Sequence, residues 1–339
     1  MNYIIKDENA IYYECGYSSD NALFLKLGSE AFFITDSRYA IEADNSVQSA
    51  TVIIDGDLYG KANKLIKNST IKELIIDPKE WSIFHFSLLS DNLNINFKKE
   101  SDFSHKKRII KTPDELLLLK KAVELGAEAF DDFAHYVDRY GIEEDEHHLG
   151  YIAQGSLSHR GKYELSFDPI VAINANSAKP HALPTDTKLK KDDLLLVDAG
   201  LKYKRYCSDR TRTVFVDSGF KFKYEQRFNS KKIQKAYDLV LKAHDNAIEK
   251  ARSGMRAKEI DALTRDIIEK GGMGEYYVHS TGHGVGLDIH EMPYISTKSD
   301  TIIEDSMVYT IEPGIYIPNE FGIRIEDMVT MVDGRVEVL

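Results

Sequence analysis

In Asp193-Leu-Leu-Leu-Val197, an unbroken apolar run leads directly into Asp198 and an Ala-Gly turn. The run lacks polar alternation, so it reads as a strand covered on both faces, of the kind packed between layers of helix. That requirement points to an α/β architecture. It also leaves Asp198 in a dry place, where a carboxylate is costly unless a partner compensates it. The 339 residues, 42% apolar and 29% charged, form an ordinary globular composition but a long chain for one core, so two domains are the default.

The division is visible along the chain. Short β-branched or aromatic runs at Ala22 to Leu27, Ala31 to Thr35, Thr51 to Ile54 and Glu73 to Ile76 alternate with polar segments of helical character, giving a small α/β domain over residues 1–110. Within it, Asp36-Ser37-Arg38 reads as a polar turn. Glu100 to Arg108 is charged and poor in core residues, as expected of a connector. Thr112-Pro113-Asp114-Glu115 is then a capping box with proline at the first helical position, followed by Leu116, Leu119, Val123, Phe130, Phe133 and Val137 at helical spacing. This helix opens a second domain, 111–339. Further helices are expected at about 143–159, 229–251 and 256–270, with strand-like runs between them.

Those runs carry four more groups that need a partner. In Asp209-Arg-Thr-Arg-Thr213, a period of two puts Asp209, Thr211 and Thr213 on one face and both arginines on the other, so Asp198 and Asp209 can come from neighbouring strands. Glu326 shares a face with Arg324, and Ile323 and Ile325 share the opposite one. Glu312 precedes Pro313-Gly314, which interrupts a strand and fixes the backbone direction. His283 is flanked by Gly282, Gly284 and Gly286, which permit close approach of another chain segment. Four carboxylates balance two divalent cations, and oxygen ligands with one imidazole suit hard to borderline ions.

Other classes are disfavoured. A net charge of −11 lacks the basic footprint of a nucleic-acid binder. No apolar run approaches the roughly 20 residues of a membrane span, and the acids in Met-Asn-Tyr-Ile-Ile-Lys-Asp-Glu-Asn stand where a signal peptide is apolar. The cytoplasm is the expected compartment. Cys15 and Cys207 are too few and too distant for a disulfide framework, and Cys207 reads as a buried thiol rather than a ligand.

The ordered set Val-Asp-Ala-Gly, Ser-Asp-Arg-Thr-Arg-Thr, His-Ser-Thr-Gly-His-Gly-Val-Gly-Leu-Asp-Ile-His-Glu, Ile-Glu-Pro-Gly-Ile-Tyr and Arg-Ile-Glu-Asp closely resembles the pita-bread metallopeptidases, in particular the proline-peptidase branch of aminopeptidase P and prolidase. The resemblance covers about residues 112–335, and the segment before it resembles, less specifically, the creatinase-type N-terminal domain. It implies two divalent metal ions, most readily Mn(II) with Co(II), Fe(II) or Zn(II) as substitutes, held by Asp198, Asp209, His283, Glu312 and Glu326, with Asp209 and Glu326 bridging. His181, His279 and His290 match further active-site histidines, Arg324 the arginine before the last ligand, and Tyr316 the tyrosine after Ile-Glu-Pro-Gly. Ser280, where glycine is common, and Arg210, where the prolidase motif often has an apolar residue, depart from the pattern without removing a ligand. His85, His105, His135, His147, His148, His159 and His244 fit no motif and read as surface or structural.

The implied reaction is hydrolysis of Xaa-Pro bonds in small peptides by a hydroxide bridging the two ions. Glu312 is the implied proton shuttle, with His290 and His181 donating to the oxyanion and His279, Arg324 and Tyr316 holding substrate. The reading favours aminopeptidase P, which removes the first residue of longer peptides, over prolidase, which takes dipeptides. A homodimer is expected from family habit. The rivals, a metal-free pseudo-peptidase binding module and a creatinase-type amidine hydrolase, use the fold without metals.

Overall fold

Leu194–Ala199 is a strand whose alternate residues enter two different cores. Leu195, Val197 and Ala199 join Phe130 and Phe133 of the helix Pro113–Tyr136. Leu194 and Leu196 join Tyr237 and Val240 of the helix Lys231–Lys250. Burying each such leucine is worth roughly 1.5–3 kcal/mol, so the strand is fixed from both sides. The same alternation places Asp198 on the face of Leu194 and Leu196, one residue beyond the apolar run.

The computed structural model describes residues 1–339, which divide into two compact units, Met1–Arg108 and Ile109–Leu339. The first has strands β1 (Tyr3–Ile5), β2 (Ala22–Leu27), β3 (Glu30–Thr35), β4 (Thr51–Ile54), β5 (Glu73–Ile76) and β6 (Asn96–Lys99). They form one mixed sheet in the order β4-β3-β2-β1-β5-β6. Helices α1 (Glu8–Cys15), α2 (Ala40–Ser46), α3 (Leu58–Asn68), α4 (Ile83–Ser90) and α5 (Phe103–Arg108) accompany it. Strand β1 has three residues, too few to show alternation in sequence, yet it pairs with both β2 and β5. Asp36 caps the short 3-10 turn Ser37–Tyr39 by accepting from the Arg38 N–H.

Glu100 to Arg108 is not a mere connector. Its second half is α5, which belongs to the core of the first unit: the Phe103 ring lies 5.2 Å from that of Tyr3, and the Phe103 N–H donates to Asp77 Oδ2 at 3.1 Å. One aromatic anchor among charged neighbours is enough to dock a short helix, and a count of apolar residues does not reveal it.

The second unit contains α6 (Pro113–Tyr136), α7 (Glu146–Leu157), α8 (Lys231–Lys250) and α9 (Ala257–Lys270). The capping box of α6 is present in both directions, with Thr112 accepting from the Glu115 N–H and Glu115 from the Thr112 N–H. Its strands are β7 (Glu164–Leu165), β8 (Ile170–Ile173), β9 (Leu194–Ala199), β10 (Leu201–Tyr203), β11 (Tyr206–Cys207), β12 (Arg210–Phe215), β13 (Gly282–Gly284), β14 (Glu291–Ile295), β15 (Val308–Ile311), β16 (Gly314–Ile317), β17 (Phe321–Arg324), β18 (Asp327–Val332) and β19 (Arg335–Val338). They pair as β11-β10-β7, β12-β9-β8, β14-β13-β15-β18-β19 and the hairpin β16-β17. No helix is long and apolar enough to cross a membrane.

Buried Glu146, at the start of α7, ties down the loop after β8. Its carboxylate accepts from the backbone N–H of Ile173 and Thr185, the Asn176 amide and the Thr185 hydroxyl, all at 2.7 Å. Such bonds to a charged acceptor are among the strong ones, and they bracket the segment that carries His181.

Phe103→Ala is expected to cost about 3 to 5 kcal/mol in the first unit, the usual penalty for deleting a buried phenylalanine. Thermal unfolding followed by circular dichroism checks it. A change within error of zero would mean that 103–108 is a connector after all.

Candidate active site

Strand pairing brings the acidic groups together. Strands β9 and β12 run antiparallel with Asp198 opposite Thr211, and Asp209 immediately precedes β12. Strands β15 and β18 pair so that Ile311 lies opposite Asp327, which sets Glu312 and Glu326 just beyond the two paired ends. His283 is the middle residue of β13, which lies beside β15. A Cβ on Gly282 would sit 1.9 Å from the Thr310 carbonyl oxygen, and one on Gly284 would sit 2.2 Å from that of Met292. Only glycine lets the backbone on either side of His283 come so close to its neighbours.

The five groups line one cavity of about 440 Å³, together with Phe167, Asp168, Ile170, Pro180, His181, His279, Ser280, Ile289, His290, Tyr294 and Arg324. Asp209, His283 and Glu326 present ligand atoms within 4.8 Å of one another. His283 Nδ1 lies 3.1 Å from the Gly284 carbonyl oxygen, which fixes the proton there and leaves Nε2 as the acceptor. Nε2 is 3.4 Å from Glu312 Oε1 and 3.6 Å from Asp209 Oδ2, too long for a good hydrogen bond but suited to groups that share an ion.

The site is electrostatically unbalanced in protein atoms alone. Burial, with Glu326, Asp198 and Glu312 nearby, holds the Asp209 carboxyl well above the usual carboxylate range. Burial, with Glu312 and Asp198 nearby, does the same to Glu326. Glu312 is pushed up to about 7, chiefly by burial and against the pull of Arg324. The buried Asp198 Oδ1 has no hydrogen-bond partner. An orphaned oxygen and raised carboxylates facing an imidazole whose pKa burial lowers fit divalent cations, whose charge would compensate the acids and whose coordination would satisfy that oxygen.

Hydrogen bonds from the protein aim the carboxylates. Thr211 Oγ1 donates to Glu326 Oε2 at 2.6 Å and accepts from Arg324 Nε at 2.9 Å, and Thr310 Oγ1 donates to Glu312 Oε1 at 3.1 Å. Arg324 also donates from Nη2 to Asp198 Oδ2 at 2.5 Å, and from Nη1 to Tyr316 Oη at 2.7 Å and the Pro180 carbonyl at 3.3 Å. Four of the five guanidinium N–H groups are thereby committed to protein acceptors. Burial, then the Arg324 charge, lowers the His279 pKa to about 4, so the ring is neutral. Its Nδ1 lies 2.7 Å from the Ser280 carbonyl and its Nε2 accepts from Tyr316 Oη at 2.9 Å. A directed chain results, from Arg324 through Tyr316 and His279 to a backbone carbonyl.

His181 and His290 are exposed on the cavity wall, and the His290 ring meets that of His283 edge-on with centroids 4.4 Å apart. Partial desolvation of the ring against the cavity wall, then His283 and His181, lowers the His290 pKa. Every residue singled out from the sequence thus lines this cavity except Tyr316, which reaches it through Arg324 and His279. Cys207 is buried outside it, with Sγ 3.6 Å from the Leu287 carbonyl oxygen. The sequence reading gave no role to Phe167, Asp168, Ile170 or Tyr294, which join the wall only through the packing of segments distant in sequence. The hydroxyl of Thr211 was legible only as sharing a face with Asp209.

The donor set of this carboxylate–imidazole centre is of the class that suits metal-assisted hydrolysis. Residues 118–333, which include all five groups, match metallopeptidase family M24, and the chain belongs to that family. The Xaa-Pro dipeptidase of Pyrococcus furiosus is 38% identical over 243 residues, 72% of this chain and 66% of that protein's length. The structure of Xaa-Pro dipeptidase from Bacillus anthracis matches with a TM-score of 0.90 at 31% identity, covering 99% of this chain and 92% of that one. X-Pro aminopeptidase from Thermotoga maritima MSB8 matches with a TM-score of 0.86 at 28% identity, covering 99% and 94%. These relatives set the chain in the proline-peptidase branch, and the family implies divalent metal ions at the site.

A pH dependence follows for the metal-free protein. Glu312 keeps its proton up to about 7 when folded but loses it near the ordinary glutamate value of 4.5 when unfolded, so the folded state binds the extra proton between those values. Stability contributed by this group is full at the acid end of that window and is lost as pH rises through it. The melting temperature of chelator-treated protein is expected to fall from pH 5 to pH 7, with a shallower slope in Glu312→Gln, as measured by scanning calorimetry. A slope unchanged by the substitution would remove Glu312 from the account.

Proposed function

We propose that this protein is an Xaa-Pro dipeptidase, hydrolysing the bond before proline in dipeptides. The sequence reading favoured aminopeptidase P, but the 38% identical relative and the neighbour with a TM-score of 0.90 are both Xaa-Pro dipeptidases. That pair of similarities carries the choice. A bond to proline lacks the amide N–H by which an extended peptide is usually held, so a dedicated site has to accept the ring instead.

In this reading Asp198, Asp209, His283, Glu312 and Glu326 hold two divalent ions, with Mn(II) best suited to the carboxylate-rich set. Bound there, the ions supply Lewis acidity to a water molecule and to the scissile carbonyl. Glu312, aimed by the Thr310 hydroxyl, takes a proton from the water and returns it to the imino nitrogen that leaves. His290 and His181 donate ring N–H groups to the carbonyl oxygen as it gains charge. Arg324 holds Asp198 and Tyr316 in place and keeps one N–H for the substrate carboxylate. His279 sets the direction of the Tyr316 hydroxyl. A homodimer and a cytoplasmic setting belong to the same proposal.

One observation favours aminopeptidase P as a second reading. A cavity of about 410 Å³ shares Asp168, Ile170 and His181 with the catalytic one, which leaves room for residues beyond a dipeptide.

With Mn(II) present, the purified protein is expected to cleave Xaa-Pro dipeptides and to leave Xaa-Pro-Xaa tripeptides intact, as resolved by chromatography of the products. Cleavage of the tripeptide at a comparable kcat/KM would transfer the assignment to aminopeptidase P. Chelation is expected to abolish turnover and Mn(II) to restore it; activity indifferent to chelator would rule out both readings. Glu312→Gln is expected to lower kcat by about 10²- to 10⁴-fold, the range for a lost proton shuttle.

A further inference from the structure

Alternation along β12 turns Arg212 away from the site, and it is only 1% exposed there. Its Nη1 donates to the backbone oxygens of Glu326 at 2.5 Å and Thr211 at 2.9 Å. Nη2 donates to Asp327 Oδ1 at 2.7 Å and to Tyr224 Oη at 3.1 Å, and the guanidinium lies 4.5 Å from the centroid of the Tyr224 ring. The second Asp327 oxygen accepts from Tyr224 Oη at 2.7 Å and lies 3.0 Å from Nε2 of His244, a buried histidine of α8. Tyr224 is itself held, since its carbonyl accepts from Tyr237 Oη at 2.8 Å.

The cluster closes around a single peptide. Glu326 is gripped at its carbonyl by Arg212, at its N–H by the Thr211 carbonyl at 3.1 Å, and through its neighbour Asp327. Its carboxylate is aimed by the hydroxyl of the same Thr211. Replacing a buried ion pair with apolar residues of similar volume is often neutral or stabilising, so core filling alone does not call for charges at this point. Their distinctive effect is directional, because the backbone groups that Arg212 engages are those of Glu326 and the residue that hydrogen-bonds it.

We infer that His244, Tyr224, Arg212 and Asp327 are positioning residues that fix Glu326 from behind and thereby set the metal affinity of the centre. The inference rests on the reading of Glu326 as a metal ligand. None of the four lies on the face that carries the acidic groups, and none takes part in the chemistry proposed above. His244 acts from α8, two links removed, through Asp327 and Arg212.

The test is calorimetric titration of Mn(II) into metal-stripped protein, with the melting temperature of each metal-free variant recorded alongside. Asp327→Asn and His244→Phe are expected to bind Mn(II) about 10- to 100-fold more weakly, the range for partners that orient a ligand, and His244→Gln is expected to recover most of the loss. Leu119→Ala, which opens a cavity beside α6, a helix that contributes no residue to the catalytic cavity, is expected to lower the melting temperature without changing Mn(II) affinity. Should Asp327→Asn fail to fold, Tyr224→Phe removes one hydrogen bond from the same cluster and is expected to weaken binding in the same direction. Affinities of the cluster variants within about threefold of the unmodified protein, or an equal loss in Leu119→Ala, would overturn the inference. No Mn(II) binding by the unmodified protein would overturn the functional reading and this inference together.

Discussion

Bringing Asp198, Asp209, Glu312 and Glu326 into one buried cavity is the constraint on which the rest of the catalytic unit depends. Four carboxylates in a dry space repel one another, and protein cations meet only part of that demand, chiefly through Arg324 against Asp198. The remainder appears as raised proton affinities at Asp209, Glu312 and Glu326 and as the orphaned Asp198 oxygen. A chain under this constraint has to be rigid wherever it carries an acid. The structure supplies that rigidity from strand ends, tight glycine approaches and threonine hydroxyls rather than from loops. Divalent cations of the kind the family implies would offset the cost of assembling the acids, which would link folding and loading of this unit thermodynamically.

What was legible in the sequence follows from how local each device is. The apolar run before Asp198, the capping box of Thr112 and Glu115, and the period-two faces of β12 are statements about neighbouring residues, and the structure reproduces each of them. Strand β1 and helix α5 were not legible, because three residues show no period and one phenylalanine among lysines gives no pattern. In the cavity, the motif residues could be found one by one, whereas Phe167, Asp168, Ile170 and Tyr294 are neighbours only in space. Arg212 and Asp327 fall between these cases. Arg212 was visible as an off-face residue of the Asp209 strand and Asp327 only as the neighbour of Glu326, but their pairing depends on β12 and β18 meeting, which no spacing within either segment reveals.

The occupied guanidinium of Arg324 sharpens what this site can ask of a substrate. An arginine with both nitrogens free binds a carboxylate through two parallel hydrogen bonds, and so reads it with high geometric precision. Here Thr211, Tyr316, Pro180 and Asp198 take four donors, leaving a single N–H for a ligand. The positive charge remains, and in a cavity of low dielectric it still favours an anion over a neutral group. Under the proposed function, discrimination between a dipeptide and a longer peptide would therefore rest less on a bidentate clamp than on charge and on the shape of the wall. That wall is continuous with the adjoining cavity through Asp168, Ile170 and His181. Under the proposed function, selectivity for chain length would be set at that opening, where Asp168 and His181 are exposed and where Glu146 and Arg324 hold the loop that carries His181.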